Sequence, residues 1–195
     1  MLSPQACQSI SQLADLAGEY DEDGIDVYFL NHKVWGAELK DSTSVEQVFS
    51  SPLTFHMMTP FGRRILELLD NYMNDMQKSW PQPKPLNVII LMKCVPSKSL
   101  ATVIRRCAKD LDEGYCPLTQ IGLHFVQIGN REETKRYLQA LDDDLNKRGD
   151  LRDFVDITPS TGDELTAEGM LKILLASVKR RLEKQKMNDR ASRSG

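Results

Sequence analysis

Three histidines, four cysteines and a few acidic clusters are the side chains with types suited to chemistry. His32 falls in an expected hairpin turn, His56 in the loop before Thr59, and His124 inside a strand. No two of them stand at metal-ligand spacing, and no His-Glu-x-x-His pair occurs. His124 is expected as a strand residue with a satisfied ring nitrogen. Cys7, Cys94, Cys107 and Cys116 lie too far apart for a Cys-x-x-Cys unit, which removes zinc-ribbon and dithiol chemistry. Cys107 sits on the apolar stripe of an expected helix, where a thiol acts as a small hydrophobe. Packing or idle exposure, as reduced thiols, is expected for all four cysteines.

Asp21-Glu22-Asp23-Gly24 opens like a calcium loop, but the later ligands and the terminal Glu are missing, so a turn is expected. Asp142-Asp143-Asp144 reads as solvated helix surface. The sequence has no Gly-x-Ser-x-Gly elbow, no Walker A sequence and no glycine-rich phosphate turn. No catalytic or cofactor-binding residue is assigned.

The elements that must position these residues follow from periodicity. Ile10, Leu13, Leu16, Ala17 and Tyr20 at helical spacing predict a helix over 5–20 starting near Ser3-Pro4. Ile25–Leu30 reads as a strand, and a weaker extended piece over Val34–Leu39 as its hairpin mate. Ser44–Phe49 reads as a short helix capped by Ser42 or Thr43. The Thr59-Pro60-Phe61-Gly62 turn leads into a long helix that buries Ile65, Leu68, Leu69, Tyr72, Met73 and Met76. Leu86–Met92 is a nearly unbroken apolar strand of the kind buried on both faces. A helix through Leu100, Val103, Ile104, Cys107 and Leu111 follows, then a strand over Ile121–Ile128. Gly129-Asn130 caps a helix through Leu138, Leu141 and Leu145, and Phe154–Ile157 is a short strand. The last helix is expected to bury Leu171, Leu174, Leu175, Val178 and Leu182. Strands alternating with helices call for a parallel sheet covered on both faces.

Length and composition set the outer bounds. The 195 residues suit one compact domain, or one domain with a tail, and 41% apolar with 27% charged residues is ordinary globular usage. The longest apolar run, Val88–Met92, falls far short of the roughly 20 residues that cross a bilayer. The N-terminus lacks a basic region followed by a long apolar core, so no membrane association and a cytoplasmic location are expected. Residues 179–195 carry seven basic and two acidic side chains, a charge of +5 against −8 for the rest. No aromatic residue interleaves those cations as a stacking platform, so nucleic acid is not an expected partner. Residues 183–195 are expected to form a basic, disordered tail on a domain spanning 1–182.

Several stretches together resemble a von Willebrand factor A (vWA) domain, especially the compact intracellular sort encoded by fungi. They are Asp23-Gly24-Ile25-Asp26-Val27-Tyr28-Phe29-Leu30-Asn31, the Thr59-Pro60-x-Gly62 turn, and Lys84-Pro85-Leu86-Asn87-Val88-Ile89-Ile90. Gln120-Ile121-Gly122-Leu123-His124-Phe125-Val126-Gln127-Ile128-Gly129, Leu141-Asp142-Asp143 and Phe154-Val155-Asp156 complete the match from Ser3 to Arg181. The resemblance implies an α/β, Rossmann-like three-layer sandwich with a mostly parallel sheet. Its ligand site would lie outside the strand C-termini. There the family holds Mg²⁺ with an Asp-x-Ser-x-Ser loop after the first strand, a Thr from a later loop, and an Asp ending the fourth strand.

Two departures follow from the same comparison. The first central strand and its Asp-x-Ser-x-Ser loop have no counterpart here, and Lys93 occupies the acidic position after Leu86–Met92. Only Thr59 matches a ligand position, so neither Mg²⁺ nor any other cofactor is expected. The Lys93 ammonium could stand in for the metal charge and receive a partner's carboxylate, or it could be an idle surface lysine. The expected function is a non-enzymatic protein-interaction domain with a rim at His56, Thr59, Lys93 and Pro96. Strand donation or self-association could fill the gap in the sheet. A nucleotide or small-molecule binding Rossmann-like protein or enzyme is the alternative, and a degenerate product without a defended function is a third.

Overall fold

The computed structural model describes residues 4–29, 35–50, 61–78, 81, 83–96, 100–114, 116–146, 152–160 and 165–193. The chain is α/β and divides into two compact units. The first holds α1 (Pro4–Gly18), β1 (Ile25–Tyr28), β2 (Trp35–Leu39), α2 (Ser42–Ser50) and the start of α6 (Ala167–Arg193) as far as Lys172. The second holds α3 (Phe61–Lys78) from Gly62, β3 (Leu86–Met92), α4 (Ala101–Glu113), β4 (Ile121–Gln127), α5 (Glu132–Asn146), β5 (Val155–Thr158) and α6 from Ile173.

In the first unit β1 and β2 pair as an antiparallel hairpin with a bulge between Ile25 and Val27. The Asp26 carboxylate accepts the Glu38 N–H at 2.9 Å, beside the bulge, and Glu38 has the positive φ of 53°. Ala14, Leu39 and Val45 form the core, with Ile10, Ile25, Val27, Val48 and Phe49 packed around them. Asp21–Gly24 is a turn, as expected: the Gly24 N–H donates to the Asp21 carbonyl at 3.0 Å, and Gly24 adopts φ +71°. The cap of α2 is Asp41 rather than Ser42 or Thr43, because its carboxylate accepts the Ser44 N–H at 2.7 Å. Both Ser42 and Thr43 already lie inside the helix.

The second unit is built on a parallel sheet in the order β3-β4-β5. Val88 pairs with Leu123, and Leu123 with Val155. The two crossovers step the same way along the sheet. The right-handed rule then places α4 and α5 on one face, and these helices touch each other. That face carries Ile90, Met92, Ile121, Leu123 and Phe125, all buried, opposite the buried sides of α4 and α5 at Leu100, Ile104, Leu111, Leu138 and Leu141. β4 is buried along its whole length, whereas β3 is only partly covered, with Ile90 and Met92 its buried residues. The expectation of a β3 buried on both faces therefore holds for β4 instead, because β3 ends the sheet among the described residues.

The other face of the sheet sets Asn87, Gly122, His124 and Asp156 beside Ile89, Leu91 and Val126, and its polar part corrects the expectation for α6. Ser177 and Arg181 turn inward, while Leu175 is 57% and Leu182 43% exposed. Past residue 182 the chain does not fade out, but remains helical through Arg193. None of the helices described is long and apolar enough to cross a membrane.

Candidate functional site

The three parallel strands end side by side, so the loops after Met92, Gln127 and Thr158 form one rim. Gln127 fixes that rim. Its amide nitrogen donates to the carbonyls of Gly129 at 3.2 Å and Arg131 at 3.0 Å. Its amide oxygen accepts the Ser160 N–H at 3.4 Å, tying the loop after β4 to the loop after β5. On the other side the Thr134 hydroxyl, in the first turn of α5, donates to the Lys93 carbonyl at 3.3 Å. Both Gln127 and Thr134 are buried, so these ties are sheltered from water. Lys93 itself is exposed and Pro96 half-buried. His56 and Thr59 lie outside the described residues, as does His32. Of the four expected rim residues, Lys93 and Pro96 are thus seen on the loop that leaves β3, while Gln127, Thr134 and Ser160 are additions. The signal for Gln127 is a polar residue closing an otherwise apolar strand.

Among the described residues no three His, Cys, Asp or Glu side chains converge as a metal group.

A second cluster lies between the sheet and α6. Asn87 of β3, Gly122 and His124 of β4, and Asp156 of β5 share one face by register. Arg181 of α6 enters that face and is 1% exposed. Its guanidinium donates to the Asn87 side-chain oxygen at 2.6 Å and to the Asp156 carboxylate at 3.4 Å. Arg180 reaches Asp153 and Asp156 from the same helix, and Lys184 reaches Asp153. Gly122 is what makes room: a Cβ there would overlap the Arg181 guanidinium.

His124 departs from expectation. Among the described residues neither ring nitrogen has a hydrogen-bond partner, and Nδ1 stands 3.5 Å from the Asp156 carboxylate. Burial lowers its pKa to about 4, against the pull of Asp156 and with the push of Arg181 and Arg180. With 0% of its surface exposed, His124 is out of reach of a substrate, so it is a core group rather than an acid or base.

Neither a protein-family model nor a curated protein matches this chain. The function must be argued from the sites themselves.

Cys107 is buried and its thiol is pushed up to about 12 by desolvation, so it is a packing residue. Cys94 is exposed, and Cys7 and Cys116 are half-buried. Asp142 and Asp143 are exposed, but Asp144 is half-buried and pairs with Arg105 at 2.8 Å. Sequence reasoning also missed Arg152. Its guanidinium holds the Asp112 carboxylate at 3.0 Å and the carbonyls of Cys116 and Pro117, pinning the turn before β4. An arginine within a run of polar residues carries no sequence signal for that role.

Proposed function

We propose that this chain is a non-enzymatic interaction domain of vWA type that binds another protein without a metal, through the rim at Lys93 and Pro96. The observation that carries the reading is Lys93. It is an exposed cation at the C-terminal end of a parallel strand, on a loop whose backbone is held by Thr134. A fold of this class presents its ligands outside these strand ends. A positive charge on a fixed backbone suits a carboxylate of the partner.

The sheet supports the same reading. The sheets described are an antiparallel hairpin and a three-stranded parallel sheet, in keeping with an α/β fold. Under this reading the edge of β3, which ends the sheet among the described residues, would accept a strand from a partner or a second copy.

The test is retention of bound protein from an extract of the source cells, in Mg²⁺ and in EDTA, by the native chain and by Lys93→Glu. The reading expects a specific partner that survives EDTA and is lost on charge reversal. Loss in EDTA with no effect of Lys93→Glu would contradict it. Thermal stabilisation by one member of a nucleotide panel would instead favour the small-molecule alternative, since a ligand at 100 times its Kd adds about 2.7 kcal/mol.

A further inference from the structure

The β1–β2 hairpin of the first unit has two unlike faces. Ile25, Val27 and Leu39 pack with Ala14 and Val45, and Phe29 meets Phe49 of α2 edge-on at 5.2 Å. A Cβ at Gly36 would press on Val48, so β2 lies close on α2. Asp26, Tyr28 and Trp35 alternate with these inward residues and are exposed. Tyr28 and Trp35 are cross-strand partners whose rings lie parallel to within 2°, with centroids 5.5 Å apart. They are 48% and 55% exposed, although aromatic pairs of this kind are the large apolar groups of cores and interfaces. The Tyr28 hydroxyl donates to one Asp26 oxygen at 3.4 Å, and the Glu38 N–H donates to the other at 2.9 Å. Burial, and then the Asp26 charge, raise the Tyr28 pKa, so the phenol keeps the proton it donates. Each Asp26 oxygen retains a lone pair for a further donor. Among the described residues no cation pairs with Asp26 or with the exposed Glu38. The whole unit has the same sign: it holds twelve Asp and Glu against three Lys and no Arg, while the full chain is only −3.

We propose that this outer face of the hairpin binds an arginine-bearing segment of another protein, with the guanidinium stacked on the Tyr28–Trp35 pair and bonded to Asp26. Arginine is the side chain that meets both demands, because its flat cation lies on an aromatic face and its edge donates to a carboxylate. The anionic unit draws a basic segment toward the site and repels an acidic one. A second copy is a poorer occupant, since Arg105, Arg106, Arg152, Arg180 and Arg181 already pair with aspartates of their own unit. The hairpin belongs to the first unit and the rim at Lys93 and Pro96 to the second, so this proposal does not rest on that rim.

The probes are three labelled peptides of one sequence in which two positions are arginine, lysine or citrulline, titrated against the full chain by fluorescence anisotropy. Citrulline keeps the shape of arginine without its charge. The arginine peptide should saturate with a Kd below about 1 mM and bind at least about tenfold more tightly than the citrulline one, with lysine between them. Trp35→Thr, which keeps a strand-forming residue, should weaken the arginine peptide by about tenfold or more. Asp26→Asn, which can still accept the Glu38 N–H, should shrink the preference for arginine over citrulline by about threefold or more. Equal affinity for the arginine and citrulline peptides would overturn the proposal, as would a lysine peptide as tight as the arginine one or no saturation at all. An arginine affinity unchanged in Trp35→Thr would also overturn it. So would a concentration-dependent dimer that is lost in Trp35→Thr.

Discussion

Arg181 is the residue on which the inner face of the second unit turns. Its charge is buried against the sheet, with Asp156 and Asn87 as partners and Gly122 leaving the space. Replacing one member of such a cluster leaves the others unpaired in low dielectric, which costs about 3–5 kcal/mol. Arg181→Met should lower stability by roughly that much, read from the urea midpoint at constant slope. Gly122→Ala should cost about 1–3 kcal/mol, because the new methyl overlaps a guanidinium held from two sides. His124 adds a pH dependence of definite sign. Its pKa is lowered on folding from the ordinary 6.5 to about 4, so the unfolded chain takes up a proton that the folded one refuses. Stability should fall as pH drops from about 6.5 to about 4, by at most about 3 kcal/mol, and His124→Gln should flatten that limb of the profile. The thiols should separate as well. An alkylating reagent at mildly alkaline pH should label exposed Cys94 and leave buried Cys107 untouched until the protein unfolds, as peptide mass mapping would show.

At the scale of elements, periodicity locates nearly every helix and strand, because a buried face repeats at 3.6 or 2 residues whatever surrounds it. Periodicity does not say which way a stripe faces when the neighbouring surface is polar. For α6 the pattern points five apolar residues inward, and the structure leaves Leu175 and Leu182 exposed and Leu171, Leu174 and Val178 half-buried, with Ser177 and Arg181 buried in their place. The correcting signal lies elsewhere in the chain: Asn87, Gly122, His124 and Asp156 share a sheet face that an apolar helix could not satisfy. Caps are likewise beyond the pattern. Ser42, Thr43 and Asp41 are all good N-cap types, and the Asp41 bond to the Ser44 N–H decides among them. Asp41→Ala should therefore cost about 1 kcal/mol, while Ser42→Ala, inside the helix, should cost less than half of that by the same denaturation measurement.

For the whole molecule, the parallel sheet is legible from strands alternating with helices, and the order β3-β4-β5 follows from short right-handed crossovers. The rim is legible only in part. Fold class places a site at the strand C-termini, but the ties made by Gln127 and Thr134 depend on loop geometry that no spacing rule encodes. The charge division has a counterpart in space, since the basic run beginning at Lys179 supplies the buried Arg181 and the exposed Arg180 and Lys184, which reach Asp153 and Asp156. What most needs testing is whether the rim binds protein by charge rather than through a metal. The most direct measurement is the affinity of the partner retained from source-cell extract, titrated against native chain and Lys93→Glu, each in Mg²⁺ and in EDTA. Equal affinity of the native chain in both buffers is expected, with a loss of about tenfold or more on charge reversal. Binding that vanishes in EDTA and ignores Lys93→Glu would contradict it.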